Sequence, residues 1–273
     1  MRWPDQPRCE SQRRELGTFV RIGVIGFGAI GKHLVDHISA TDGLELSFVL
    51  TRTPIPDAPW PVGAAIAALT PAHLSATDLV IEAAHPEIVA NHGAQILEHS
   101  DLMVVSAAAL VDDRQRENLI ATARRHGRRI VIPYGALAGL EALAGRPSTW
   151  RSASITFVKP PHAFEPPPAD VTAVSVLYDG AVRGIAARYP RNVNAMVTFA
   201  LATAGLDASR AVLISDPAQA FATLEFEAIG EDGGTLRVSK SQPMLGVSGS
   251  EMPDAIVHSL MMYAGGRPGL SFG

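Results

Sequence analysis

Val20-Arg21-Ile22-Gly23-Val24-Ile25-Gly26-Phe27-Gly28-Ala29-Ile30-Gly31 carries the clearest structural signal in the chain. An apolar run of strand character ends in three closely spaced glycines, and behind them Ile30, Leu34, Val35 and Ile38 recur with helical period. A strand that turns sharply into a helix needs a glycine for the turn, which Gly26 supplies. Gly28 lets a ligand reach the backbone, and Gly31 lets the helix pack on the strand. The first N–H groups of such a helix, at Ala29, Ile30 and Gly31, have no intrahelical partner and lie at its positive end, so they suit a pyrophosphate.

Strand-like runs recur at residues 44–50, 79–83, 102–106 and 129–132, with helical faces between them, such as Ile88, Val89, His92 and Ile96. This alternation predicts an α/β fold: a Rossmann dinucleotide-binding domain with a parallel sheet. Past residue 139 the texture changes. Runs at 154–158, 173–178, 211–215, 223–228 and 235–239 read as strands, the last two joined by Gly230-Glu231-Asp232-Gly233-Gly234, a hairpin turn. They predict a second α+β domain with a mostly antiparallel sheet. Helices are expected near Ala136, Val182, Asn194 and Asp254, the last capping its own helix. Lys159 to Asp170, rich in proline, is expected to be an irregular loop. The expected division is a loose extension over 1–19, a dinucleotide-binding domain over 20–138 completed by 247–273, and a substrate and dimerisation domain over 139–246.

Composition bounds the function. The chain has 273 residues, 47% of them hydrophobic, a formal net charge of −4 and no long basic run. That gives no electrostatic reason for a nucleic-acid or anionic-membrane partner, and a small-molecule substrate fits better. No apolar stretch reaches the roughly 20 residues that would span a bilayer. Cys9 is the sole cysteine, which excludes an internal disulfide and a cysteine metal site and points to the cytoplasm. His85, His92 and His99 recur every seven residues, nearly two helical turns apart, and read as surface residues; no metal site is expected.

The end of the second strand chooses between the nicotinamide cofactors: an acid there binds a ribose hydroxyl, an arginine a 2′-phosphate. The chain reads Thr51-Arg52-Thr53, with no carboxylate at that point, so Thr51 and Arg52 favour NADP. NAD remains the alternative, with Asp57 reaching in from the following loop.

Beyond the glycines, several pieces are distinctive: Ile81-Glu82-Ala83-Ala84-His85, Val104 to Leu110, Ile132 to Leu140, Lys159-Pro160-Pro161, and Tyr189-Pro190-Arg191-Asn192-Val193-Asn194-Ala195. Through these the chain resembles the L-aspartate dehydrogenase family over nearly its whole length from Val20. The resemblance implies interconversion of L-aspartate and iminosuccinate with NAD or NADP, a homodimer, and contact of Ala136 and Asn194 with the nicotinamide. From the residues alone, the Asn194 amide either binds the carboxamide or caps a helix.

One departure concerns catalysis. The resemblance places a histidine at position 224, and the chain has Leu224, which transfers no proton. The family's segment Asn-Pro-x-Thr-Ser is also not recognisable in residues 247–252. Candidates to take over are His162, whose imidazole is a side chain of the proton-transferring type, and Lys159, which either binds a carboxylate or is a surface charge. The resulting expectation is an NAD(P)-dependent oxidoreductase acting on an amino acid, imine or related carbonyl compound and poorly on aspartate. The competing expectation is a dinucleotide- or metabolite-binding sensor. The pocket is expected between Gly135-Ala136, Asn194, the 159–162 loop and Leu224.

Overall fold

In the computed structural model the described residues are 19–52, 55, 60, 64–135, 137–145, 149–168, 171–190, 193–245 and 248–265. The expected extension over 1–19 therefore lies outside them except for Phe19, as do Asp57, Ala136, Arg191 and Asn192.

The first half forms β1 (Val20–Ile25), α1 (Ala29–Ser39), β2 (Leu44–Leu50), β3 (Ala65–Ile66), α2 (Pro71–Ser75), β4 (Leu79–Glu82), α3 (Pro86–His99), β5 (Asp101–Val104), α4 (Asp113–His126) and β6 (Ile130–Val131). These strands make one parallel sheet in the order β3-β2-β1-β4-β5-β6. The order reverses between β1 and β4, the switch point at which open α/β sheets bind ligands. Strands buried on both faces read as continuous apolar runs, which is why they were legible. One face is covered by Leu34, Val35 and Ile38 of α1. The other is covered by Val89, Ile96 and Leu97 of α3 and Leu119 of α4.

The second half adds α5 (Leu140–Ala144), β7 (Trp150–Lys159), β8 (Ser175–Ala181), α6 (Val182–Arg188), α7 (Asn194–Leu201), β9 (Arg210–Ser215), β10 (Ala222–Gly230), β11 (Thr235–Gln242), β12 (Met244–Leu245), β13 (Ser248–Gly249) and α8 (Met252–Tyr263). A mixed sheet runs β11-β10-β7-β9-β8, in which β7 and β9 are parallel and the other pairs antiparallel. The hairpin at residues 230–234 forms as expected, with Gly230 N–H donating to the Gly234 carbonyl. The chain then returns to the first sheet. Ile256, Val257 and Leu260 of α8 join the cluster of Val24, Leu34 and Val35.

Three local expectations need correction. The helix expected near Ala136 begins at Leu140, because Gly139 adopts a left-handed conformation (φ 78°) just before it. Lys159 is not in a loop: β7 runs to its last residue before Pro160, and residues 161–163 form a 3-10 turn. A strand tolerates proline immediately after its end, since the lost N–H lies outside the ladder. Asp254 does not cap its helix either. It sits in the first turn of α8, where its carboxylate meets His33 Nε2 at 2.9 Å.

Candidate functional site

The glycine turn has the geometry its sequence requires. Gly26 has φ 98°, and a Cβ there would lie 2.7 Å from the Ala83 carbonyl oxygen, so β1 and β4 approach closely only with glycine. A side chain at Gly31 would run into the Gly26 carbonyl. At Gly28 a Cβ would meet no protein atom within 4 Å, so that glycine faces open space. Gly28 is the N-cap of α1, has no side chain to cap the helix, and is followed by no acid in the first turn. The backbone N–H groups there fit an anion and the open cradle fits a pyrophosphate.

Around this turn lies a cleft of ≈ 250 Å³ between the two halves. Gly28, Ala29 and Ile30 form one side, Ala83 to Pro86 with Val105 and Ser106 another, and Pro190, Asn194, Gly249 and Pro253 close it. Thr51 and Arg52 follow directly on β2, Thr51 half-buried and Arg52 exposed. His85 borders the cleft and caps α3, its Nδ1 accepting from Glu87 N–H at 3.3 Å.

Asn194 opens α7 without capping it; its Oδ1 accepts from Ala108 N–H at 3.0 Å, tying the second half to the 3-10 turn Ala107–Leu110. With the oxygen so engaged, the amide nitrogen is the group it presents to the cleft. Sequence reasoning missed Glu82, the fully buried last residue of β4. Its Oε1 accepts from Ala84 N–H at 2.8 Å and Ser106 Oγ at 2.9 Å, and its Oε2 accepts from Ser106 N–H at 3.0 Å. Burial raises its pKa, opposed by these hydrogen bonds. One carboxylate thus fastens the two loops that wall the cleft. An acid ending an otherwise apolar strand was the available signal.

The expected catalytic pair separates. His162 is exposed on its 3-10 turn, while Lys159 is 1% exposed. The lysine ammonium lies 4.4 Å from the Phe157 ring centre and 5.8 Å from that of Phe164. Burial lowers its pKa to about 8. It is therefore no surface charge. Leu224 is 2% exposed and lies in the core of the second half; it pairs with Phe157 on one side and Lys240 on the other. Strand alternation puts all three on one face. Gly135 faces a separate cavity of ≈ 420 Å³, together with Tyr134, Lys240, Glu251 and His258. Lys240 and Glu251 form an ion pair, and burial lowers the lysine's pKa. Neither residue was singled out from sequence; the signal was a lysine at an inward position of a strand. Among the described residues, no group of three or more His, Cys, Asp or Glu side chains is arranged to hold a metal, and no helix is long and apolar enough to cross a membrane.

Known proteins are similar to this chain in sequence and fold. Residues 26–133 match the NAD-binding domain of homoserine dehydrogenase, and residues 142–246 match the C-terminal domain of aspartate dehydrogenase. An aspartate dehydrogenase domain-containing protein of Xenopus tropicalis is 35% identical over 214 residues, 72% of this chain and 75% of that protein. An L-aspartate dehydrogenase of Ruegeria pomeroyi is 32% identical over 227 residues, 80% of this chain and 82% of its own. The solved aspartate dehydrogenase of Thermotoga maritima superposes with a TM-score of 0.75 at 23% identity, covering 93% of this chain and 99% of that one, which speaks to the fold. Glycine turn, parallel sheet, mixed second sheet and sequence relatives agree: this chain, a Rossmann-type NAD(P)-binding oxidoreductase fold, belongs to the aspartate dehydrogenase family.

Proposed function

We propose that the chain is a cytoplasmic, NADP-preferring oxidoreductase acting on an amino acid, its imine or a related carbonyl compound less polar than aspartate. The observation that carries the reading is the open cradle at Gly28, which a dinucleotide pyrophosphate would fill. The nicotinamide, when bound, accepts or donates the hydride. The chain's own residues bind and orient. Ala29, Ile30 and Gly31 offer backbone N–H groups to phosphate, the exposed Arg52 suits a 2′-phosphate, and the Asn194 amide nitrogen suits a carboxamide. Ala136 completes this set by resemblance, outside the described residues.

Lys159 and His162 are the two candidates to serve the missing histidine's part: the ammonium is buried at the end of β7, where burial lowers its pKa to about 8, and the imidazole is exposed on the adjacent turn. Residues 20–138 with 247–273 are the dinucleotide-binding domain in this reading, and 139–246 the substrate and dimerisation domain. The exposed Val174, Val176 and Phe221 suit a homodimer interface, which light scattering would test.

A turnover screen with NADPH and NADH against oxaloacetate plus ammonia and a panel of less polar oxoacids and aldehydes tests the function. NADPH is expected to bind more tightly than NADH, and Arg52→Ala to weaken NADPH selectively. L-Aspartate oxidation is expected to be poor, since general acid–base help contributes roughly 10²–10⁴ in rate and position 224 supplies none. Dinucleotide binding without turnover on any member of the panel would instead make the protein a sensor, the reading that Leu224 favours.

A further inference from the structure

Lys240 and Gln242 stand two apart on β11 and so share a face. Their partners across the strand pair are Leu224 and Ala222, both buried, so the two polar side chains border the apolar patch where the family resemblance has a histidine. Both reach Glu251, the residue before α8. The Lys240 ammonium ion-pairs with Glu251 Oε1. With its amide turned so that both of its atoms are satisfied, Gln242 donates to both carboxylate oxygens, at 2.7 Å to Oε2. One ammonium and one amide from a single strand thus converge on one carboxylate.

Lys240 and Glu251 line the ≈ 420 Å³ cavity, a volume typical of small-metabolite sites, while Gln242 is buried behind the carboxylate it holds. Leu137, Ala138 and Ala255 give the cavity an apolar wall, and Glu141 stands at its edge. Gln242 connects the carboxylate it holds to the dinucleotide cleft. Gly249, which lines that cleft, packs directly against the Gln242 amide, leaving no room for a side chain between them.

We propose that Lys240 and Gln242 form the binding site for the carboxylate of a small monocarboxylic acid, and that Glu251 is an internal carboxylate occupying it until such a ligand displaces it. The proposal rests on the functional reading above only in taking this acid as the substrate or product of the reaction. Exchange of one carboxylate for another keeps the half-buried lysine paired, so it avoids the cost of leaving its charge without a partner. Glu251, with 37% of its side chain exposed, has solvent to move into. The apolar wall accommodates a short hydrocarbon chain, while Glu141 and the displaced Glu251 repel a second carboxylate. A monoacid is therefore preferred over a diacid.

The test is calorimetric titration of the full chain with 2-oxobutyrate, with succinate as the diacid and 2-butanone as the uncharged control. Wild type is compared with Glu251→Ala, Glu251→Gln, Lys240→Met and the double variant Lys240→Met/Glu251→Ala, each checked for folding by circular dichroism. Removing the internal competitor should tighten 2-oxobutyrate binding about tenfold in either Glu251 variant. Removing the ammonium should weaken it about tenfold, the scale of one charge-assisted hydrogen bond. The double variant should bind as weakly as Lys240→Met, and succinate and 2-butanone more weakly than 2-oxobutyrate throughout. A purely structural ion pair predicts otherwise: folded Glu251 variants that bind no better than wild type, or Lys240→Met binding as well as wild type, would overturn the proposal. Absence of 2-oxobutyrate binding in every variant would overturn it too. Dinucleotide affinity, read by nicotinamide fluorescence on the same samples, is a separate outcome; its loss would refute the oxidoreductase reading and leave the carboxylate site standing on its own titrations.

Discussion

Lys159 keeps its ammonium among aromatic rings, and burial brings its pKa from 10.5 to about 8. An unfolded chain binds that proton more tightly than the folded one, so the folded state carries a penalty at every pH below about 8. The penalty is relieved as pH rises from about 8 towards 10.5. Lys159→Met is therefore expected to stabilise the protein at pH 7, by up to about 3 kcal/mol. It should also flatten the gain in stability between pH 8 and 10, and urea unfolding at three pH values would check both. Glu82 is the opposite case, a buried group whose acceptors are all in use. Glu82→Gln turns donors toward the Ala84 and Ser106 N–H groups. It is expected to cost about 1–3 kcal/mol and to weaken dinucleotide binding, because both loops it fastens wall the cleft. At this scale the sequence was only partly legible. Gly26, Gly28 and Gly31 announced themselves by spacing, whereas the burial of Lys159 and the meeting of Lys240 with Glu251 depend on contacts that no local pattern encodes.

Among the elements, α1 offers a contrast between two glycines of the same motif. Gly31→Ala forces α1 away from the Gly26 carbonyl and is expected to destabilise the fold by about 1–3 kcal/mol. Gly28→Ala meets no protein atom, so its thermal midpoint should stay close to that of wild type while dinucleotide affinity drops. Thermal melts alongside cofactor titration separate the two; equal loss of stability in both variants would mean that Gly28 serves packing and not a ligand. On β10, Leu224→His buries an imidazole between Phe157 and Lys240, with an expected loss of about 1–3 kcal/mol, measurable by chemical denaturation. The long strands were readable because buried runs and hairpin turns leave clear marks. The two-residue strands Ala65–Ile66, Met244–Leu245 and Ser248–Gly249 were not, since two residues carry no period and, unlike Ile130–Val131, these lie in no run of β-branched residues. The end of β7 was hidden by the prolines after Lys159, which signal a loop more strongly than the preceding alternation signals a strand.

At the scale of the whole molecule, α8 joins the second half back to the first. α8 leaves the second half and seats Ile256, Val257 and Leu260 in the apolar cluster of β1 and α1. Ser259 Oγ accepts from Tyr134 N–H at 3.0 Å, and Tyr263 OH donates to Asp101 at 2.9 Å. Burying each apolar side chain contributes about 1.5–3 kcal/mol, so three of them approach the whole stability of an ordinary domain, about 5–15 kcal/mol. A chain ending at residue 250 is accordingly expected to lose cooperative unfolding and dinucleotide binding together, a result that circular dichroism and fluorescence titration would register. The same helix sets a schedule for biosynthesis. Leu34 and Val35 leave the ribosome more than 200 residues before Ile256 and Leu260, so at roughly 5–20 residues per second the cluster of β1 and α1 lacks the cover of α8 for roughly 10–40 s. During that interval the growing chain offers holdase chaperones an apolar surface that the finished protein no longer has.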